Sequence, residues 1–177
     1  DYDNDGDLDL FIGATLGSSK FFQNNGNGTF QDITNLAGIN IDDQVRGCSW
    51  FDYNQDGYLD LYVGLLYEPN LLYKNNGDGT FIDIAQNVGA TGPVGAGIIM
   101  GLGAIDYDRD GDQDLYITQD NYNGNILLKN ESGSFFTDVS YSTQTNLEVM
   151  GMGIAFGDIN KDGFFDFYTT NLNENSL

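Results

Sequence analysis

The nine residues Asp1–Asp9, DYDNDGDLD, carry five aspartates around a single glycine. Two like charges 4 Å apart repel by about 1 kcal/mol in water and about 4 kcal/mol near a protein surface. The first basic side chain is Lys20, so no close neighbour in sequence relieves the crowding. The nonapeptide returns as DYNQDGYLD at Asp52–Asp60, DYDRDGDQD at Asp106–Asp114 and DINKDGFFD at Asp158–Asp166. All four fit D-x-[DN]-x-D-G-x-x-D, and successive copies start 51, 54 and 52 residues apart. A recurring period of this size marks a repeat architecture, in which each repeat is one supersecondary unit.

The spacing has a chemical reading. Oxygen-bearing side chains stand at loop positions 1, 3, 5 and 9, and glycine stands at position 6. This is the first part of the EF-hand calcium loop, where position 7 adds its backbone carbonyl. Glycine permits the sharp turn that points the earlier positions inward. An all-oxygen donor set, without nitrogen or sulfur, favours a hard cation, and several carboxylates plus a carbonyl suit calcium's wide shell better than magnesium's octahedron. EF-hands place a glutamate at position 12; here Ile12, Val63, Ile117 and Thr169 stand there. No bidentate glutamate closes the loop, and an apolar strand follows in place of a helix: LDLFIG, LDLYVG, QDLYIT and FDFYTT. Aspartate and glycine are also common in metal-free turns. Four matches in register, each running into a strand, weigh for the metal. The loops hold 16 of the 27 acidic residues, and four divalent ions would bring the formal charge of −21 to about −13.

A second element recurs between the loops. Residues 20–33 read KFFQNNGNGTFQDI, residues 71–84 LLYKNNGDGTFIDI and residues 126–139 ILLKNESGSFFTDV. Each is an apolar run, a turn rich in asparagine or glycine and an alternating run, the pattern of a β-hairpin. Leu36–Ile39 and Val88–Ala90 are expected to follow as loops. Small apolar strands, VRGCSWF, IIMGLGAI and VMGMGIAF, then lead into the next aspartate loop and suit crowded, doubly buried positions. Each period thus holds four short strands, and four-stranded units at this period read as propeller blades.

Together these motifs resemble the FG-GAP/VCBS repeats, the calcium-bearing blades also found in integrin α-subunit propellers and in many secreted bacterial proteins. AFGDINKDGFFDF, Ala155–Phe167, lies closest to the general pattern. The resemblance implies an all-β fold of β-propeller-type four-stranded blades, about 3.4 repeats of about 52 residues, with calcium in the loop between a blade's first two strands. Carried over residue by residue, it implies as metal ligands Asp1, Asp3, Asp5 and Asp9; Asp52, Asn54, Asp56 and Asp60; Asp106, Asp108, Asp110 and Asp114; and Asp158, Asn160, Asp162 and Asp166. The position-7 carbonyls would be those of Asp7, Tyr58, Asp112 and Phe164. About four Ca²⁺ ions, one per loop, are therefore expected.

The expected organisation is a single array over residues 1–177, with repeats starting at 1, 52, 106 and 158. The chain has no initiator methionine and begins inside a motif, so a piece of something longer is expected. Propellers close with four to eight blades. Completion by the remainder of a longer chain is the first expectation; completion by other copies, or an open array that forms a fibre, are the others.

Composition narrows the function. With six Lys plus Arg against 27 acidic residues, a nucleic-acid partner and an anionic membrane surface are disfavoured. The longest uncharged apolar stretch, Val94–Ile105, is too short to span a bilayer and reads as a buried strand. Histidine is absent and Cys48 is the sole cysteine, which excludes an internal disulfide, Cys/His zinc sites and His-dependent nucleophilic triads. Cys48 is expected as a small core residue. The leading expectation is an extracellular, calcium-stabilised, non-catalytic structural or protein-interaction module. A carbohydrate-binding propeller would use tyrosines as sugar platforms, but Tyr53, Tyr62, Tyr67, Tyr73 and Tyr116 recur as strand and packing residues would. A fibre subunit, or an enzyme acting on polysaccharide through paired carboxylates, are the other readings. Expected partners are the rest of a longer chain or copies of itself, and protein or glycan ligands. Asn27-Gly-Thr and Asn130-Glu-Ser are glycosylation sequons, a pattern that asparagine-rich sequence produces easily by chance.

Overall fold

The computed structural model describes residues 1–92, 98–120 and 123–172. Four antiparallel sheets follow one another along the chain, each a simple meander. The first holds β1 (Leu10–Ile12), β2 (Lys20–Asn24) and β3 (Phe30–Asp32). The second holds β4 (Val45–Phe51), β5 (Asp60–Leu65), β6 (Leu71–Asn75) and β7 (Phe81–Asp83). The third repeats it as β8 (Ile99–Ile105), β9 (Asp114–Gln119), β10 (Ile126–Asn130) and β11 (Phe136–Asp138); the fourth pairs β12 (Gly151–Gly157) with β13 (Asp166–Asn171). The second, third and fourth aspartate loops each join the first strand of a sheet to its second, and the first loop runs into β1, so the sequence repeat straddles the structural blades. Residues 94–97 of the expected strand Val94–Ile105 lie outside the described residues, and β8 covers the rest from Ile99.

The core lies between sheets. Along β5 the side chains alternate: Leu61, Val63 and Leu65 face the first blade, and Tyr62 faces the third. Every residue of β5 and of β9 is buried, the mark of strands covered on both faces. Tyr2, Phe21, Trp50 and Phe81 form an aromatic cluster between the first two blades, with Tyr2 edge-on to Phe21 at 4.9 Å. Tyr116 packs on Phe167 at 5.0 Å across the third and fourth blades. Each fully buried side chain of this size contributes roughly 1.5–3 kcal/mol.

The first strands β4, β8 and β12 pack on one another in that order. Glycine makes the approach possible. A methyl group at Gly103 would stand 2.6 Å from the Phe156 ring, and one at Gly101 would stand 3.0 Å from the Gly153 Cα. All three strands also carry a bulge at the same place, between Val45 and Gly47, Ile99 and Gly101, and Gly151 and Gly153. The crowding matches the expectation for these strands; full burial does not. They are buried at Val45, Phe51, Ile99, Ile105 and Gly151 and half-exposed between, with Cys48 and Ala155 exposed.

Three further expectations are corrected. The residues read as loops after the first two hairpins include one-turn helices, α1 (Thr34–Ala37) and α2 (Ala85–Val88), each ended by a left-handed glycine, Gly38 or Gly89. Cys48 is exposed on β4: it stands opposite Val63, on the side facing the first blade, whose described strands start at β1 and leave it uncovered. Tyr67 is 58% exposed in the turn after β5, with φ of +65°, whereas Tyr53, Tyr62, Tyr73 and Tyr116 are buried as expected.

Candidate metal centre

The four aspartate loops share one backbone path. Position 4 takes a left-handed conformation at Asn4, Gln55, Arg109 and Lys161, with φ of 57–64°, and the position-6 glycines follow at 87–97°. A side chain at Gly6, Gly57 or Gly111 would meet nothing within 4 Å, so it is this positive φ that requires glycine there. The turn brings the position-6 amide back onto position 1: Gly6, Gly57, Gly111 and Gly163 donate to the Oδ2 of Asp1, Asp52, Asp106 and Asp158 at 2.8–3.1 Å. The position-7 amides donate to the Oδ1 of Asp5, Asp56, Asp110 and Asp162.

The position-9 aspartate anchors the loop to its sheet. Oδ2 of Asp9, Asp60, Asp114 and Asp166 accepts the position-2 amide at 2.9–3.1 Å. Oδ1 of the first three accepts an amide at the end of the strand that pairs with the one leaving the loop, from Asn24 on β2, Asn75 on β6 and Asn130 on β10. Asp60 and Asp114 have no exposed surface. Burial pushes the Asp60 carboxyl up to about 7 and that of Asp114 to about 6, against the pull of those amide bonds.

The loops differ at position 3. Where it is aspartate, three carboxylates converge: Asp1, Asp3 and Asp9 each present an oxygen within 4.8 Å of the others, and so do Asp106, Asp108 and Asp114. Asp5 and Asp110 stand outside these clusters. Oδ1 of Asp1, Asp3 and Asp106 is buried without a hydrogen-bond partner. A buried charged oxygen without a partner is costly, so these atoms fit a cation, as does an all-oxygen donor set. Where position 3 is asparagine the loop closes on itself: Asn54 and Asn160 donate their amides to Asp56 and Asp162 Oδ2, both at 2.9 Å, and accept the Asp56 and Asp162 amides.

Residues absent from the sequence reading complete the site. Gln23 on β2 donates to Asp3 Oδ2 at 2.7 Å. At the equivalent place on β10, the Lys129 ammonium bonds Asp108 and reaches Asp110 Oδ2 at 2.9 Å; its hydrogen bond to Asp108 foremost raises its proton affinity. Asn75 donates to the carbonyl of Tyr2 in the preceding loop and of Leu59 in its own, and Asn130 does the same to Tyr53 and Gln113. Position 4 also reaches forward, from Asn4 to the Gly57 carbonyl and from Gln55 to the Gly111 carbonyl and Asp112, while the Arg109 guanidinium lies 5.1 Å from the Phe164 ring. Successive loops are thereby stitched together. One signal was visible beforehand: asparagine follows the Gln or Lys in all three hairpins.

Relationship follows from the same residues. The FG-GAP-like repeat profile matches residues 1–63, 65–117 and 106–169. The chain belongs to the FG-GAP-like repeat family. It is 27% identical over 170 residues to cartilage acidic protein 1 of Xenopus tropicalis, covering 89% of this chain and 26% of that protein. The Mus musculus protein of that name gives the same figures, and the Homo sapiens protein is 25% identical with 25% of it covered. These FG-GAP-like repeats thus span about a quarter of the length of the curated relatives they match. A solved Agrocybe aegerita lectin that recognises non-reducing terminal N-acetylglucosamine aligns over 92% of this chain and 60% of its own, at 14% identity and a TM-score of 0.34.

Proposed function

We propose that these repeats form an extracellular, calcium-stabilised, non-catalytic module that serves structure or protein interaction. The observation that carries this is the set of buried, unpartnered carboxylate oxygens on Asp1, Asp3 and Asp106. Bound calcium supplies a divalent charge that these oxygens can face without repulsion. The ligands proposed in each loop remain positions 1, 3, 5 and 9 with the position-7 carbonyl. Asp5 and Asp110, and the self-closed loops at Asn54 and Asn160, would have to turn inward to take part. Extracellular placement fits a weak oxygen site filled at millimolar calcium, and the name of the relatives, cartilage acidic protein 1, agrees with it. The non-catalytic reading is supported by the commitment of the carboxylates: all four position-9 aspartates accept backbone amides and serve as anchors.

Thermal unfolding in chelator and in calcium tests the reading. A native-state ligand at a hundred times its dissociation constant adds about 2.7 kcal/mol per site. The midpoint is expected to rise by several degrees in millimolar calcium and to return with chelator. An unchanged midpoint overturns the proposal. Loss of the polysaccharide-hydrolase reading is checked separately, by assaying for turnover that disappears in a single carboxylate variant.

The partners proposed are the remainder of a longer chain or further copies of this one. Leu8, Leu10, Ile12 and Phe30 of the first blade and Ile159, Phe164 and Phe165 of the fourth are each at least 44% exposed, apolar surface of the kind that interior blades bury against a neighbour.

A further inference from the structure

The first and third loops hold identical side chains at positions 1, 3, 5 and 9, four aspartates each. They differ in what the neighbouring strand sends in. In the first loop Gln23, the penultimate residue of β2, offers a neutral amide to Asp3, and Oδ1 of both Asp1 and Asp3 is left without a partner. In the third loop Lys129, the penultimate residue of β10, places its ammonium between Asp108 and Asp110, and only Asp106 Oδ1 is left over. The second loop is the control that the chain itself provides. Lys74 occupies the same place on β6, but position 3 is Asn54, whose amide satisfies Asp56, and Lys74 makes no ion pair among the described residues. Among the described residues Lys129 is thus paired beside a loop of four carboxylates, and Lys74 is not paired beside a loop of three.

We propose that Lys129 is a tethered cation of the third loop, which a divalent ion must displace from Asp108 and Asp110 before the loop can fill. The inference rests on the calcium reading above. It makes the four-aspartate loops unequal: the first, with a neutral Gln23, binds calcium more tightly, and the third binds it later and holds its shape in calcium's absence. Calcium affinity in oxygen sites follows the charge presented to the ion, so one internal positive charge is expected to weaken the site about tenfold.

The test uses the whole chain, stripped of metal by chelator, with calcium as the titrant in calorimetry and with parallel thermal melts. Lys129→Gln copies the first loop into the third, and Gln23→Lys does the reverse. Lys129→Gln is expected to tighten one site about tenfold and Gln23→Lys to loosen one about tenfold. The melts carry a sign that a purely structural lysine would not produce. Lys129→Gln melts below the parent in chelator, where four carboxylates lose their counter-charge, and level with or above it in saturating calcium. If both variants titrate like the parent, or if Lys129→Gln is destabilised equally in chelator and calcium, the proposal is overturned. If the parent itself takes up no calcium at any concentration, the calcium reading fails and this inference falls with it, an outcome distinct from unaltered binding in the variants.

Discussion

Tyr62 and Tyr116 show how much one side chain fixes. Each is buried in the middle of a second strand, and each hydroxyl is fully used. Tyr62 donates to the Ala90 carbonyl at 2.8 Å and accepts the Asn70 amide at 3.0 Å; Tyr116 donates to Thr145 and accepts Asn125. Asn70 and Asn125 in turn accept the Leu65 and Gln119 amides, which pins the turn after each strand. Tyr62→Phe strands a buried carbonyl and a buried amide, and is expected to cost roughly 1–3 kcal/mol, read from the denaturant midpoint. Acidity is set at the same scale. Asp60 and Asp114 titrate near 7 and 6 in the fold against 3.8 when unfolded. Between about pH 4 and pH 7 the native chain therefore holds protons that the unfolded chain has released, so stability falls as pH rises through that window. In chelator the chain is expected to be more stable at pH 5 than at pH 7.5. In calcium the order should reverse, because the ion requires ionised ligands and its affinity falls with acid.

At the scale of elements, legibility followed repetition. The aspartate loops and hairpins could be read because the same turn chemistry recurs in register, and the four-stranded meander follows from counting the runs between them. The one-turn helices α1 and α2 could not be read, since four residues are too few to show a helical period. Cys48 looked like core because its neighbours are apolar; its exposure depends on which face of β4 meets a neighbouring sheet, a tertiary fact. In the loops, the spacing D-x-D-x-D-G-x-x-D carried the candidate ligands, but the partners from other strands, Gln23, Lys129, Asn75 and Asn130, lie 15–21 residues from the loop atoms they touch in their own blade, and up to 77 from those in the blade before. Asn130 is the sharpest case. It scans as a sequon, yet it is fully buried and its side-chain nitrogen is spent on Tyr53 and Gln113, whereas the other sequon residue, Asn27, is exposed. Asn130→Ala removes both donations and the bond accepted from Gly133, and is expected to cost about 2–4 kcal/mol in equilibrium unfolding.

For the whole molecule, the apolar cores lie between blades, so the stability of each sheet depends on its neighbours. Tyr2 and Phe21 are covered because the second blade brings Trp50 and Phe81; the apolar residues of the outermost blades have no such cover among the described residues. The 177-residue chain is therefore expected to associate in solution. Light scattering in calcium buffer is expected to return a mass above 19.4 kDa, and Ile12→Glu should lower it by charging the surface of the first blade. A monodisperse monomer would show that these faces need no cover.

The aromatic cluster between the first two blades also gives the chain an optical label. Trp50 is its sole tryptophan, and the ring lies 5.6 Å from Phe21 and 6.1 Å from Phe81, both in contact with Tyr2 inside the first loop. Its emission should respond when the first loop tightens, and stay nearly silent when the fourth loop, two blades away, does the same. Trp50 also stands two residues ahead of Asp52, so fluorescence then watches the first two loops while heat counts them all, and the difference between the two titration curves separates these sites from the later ones without any added dye.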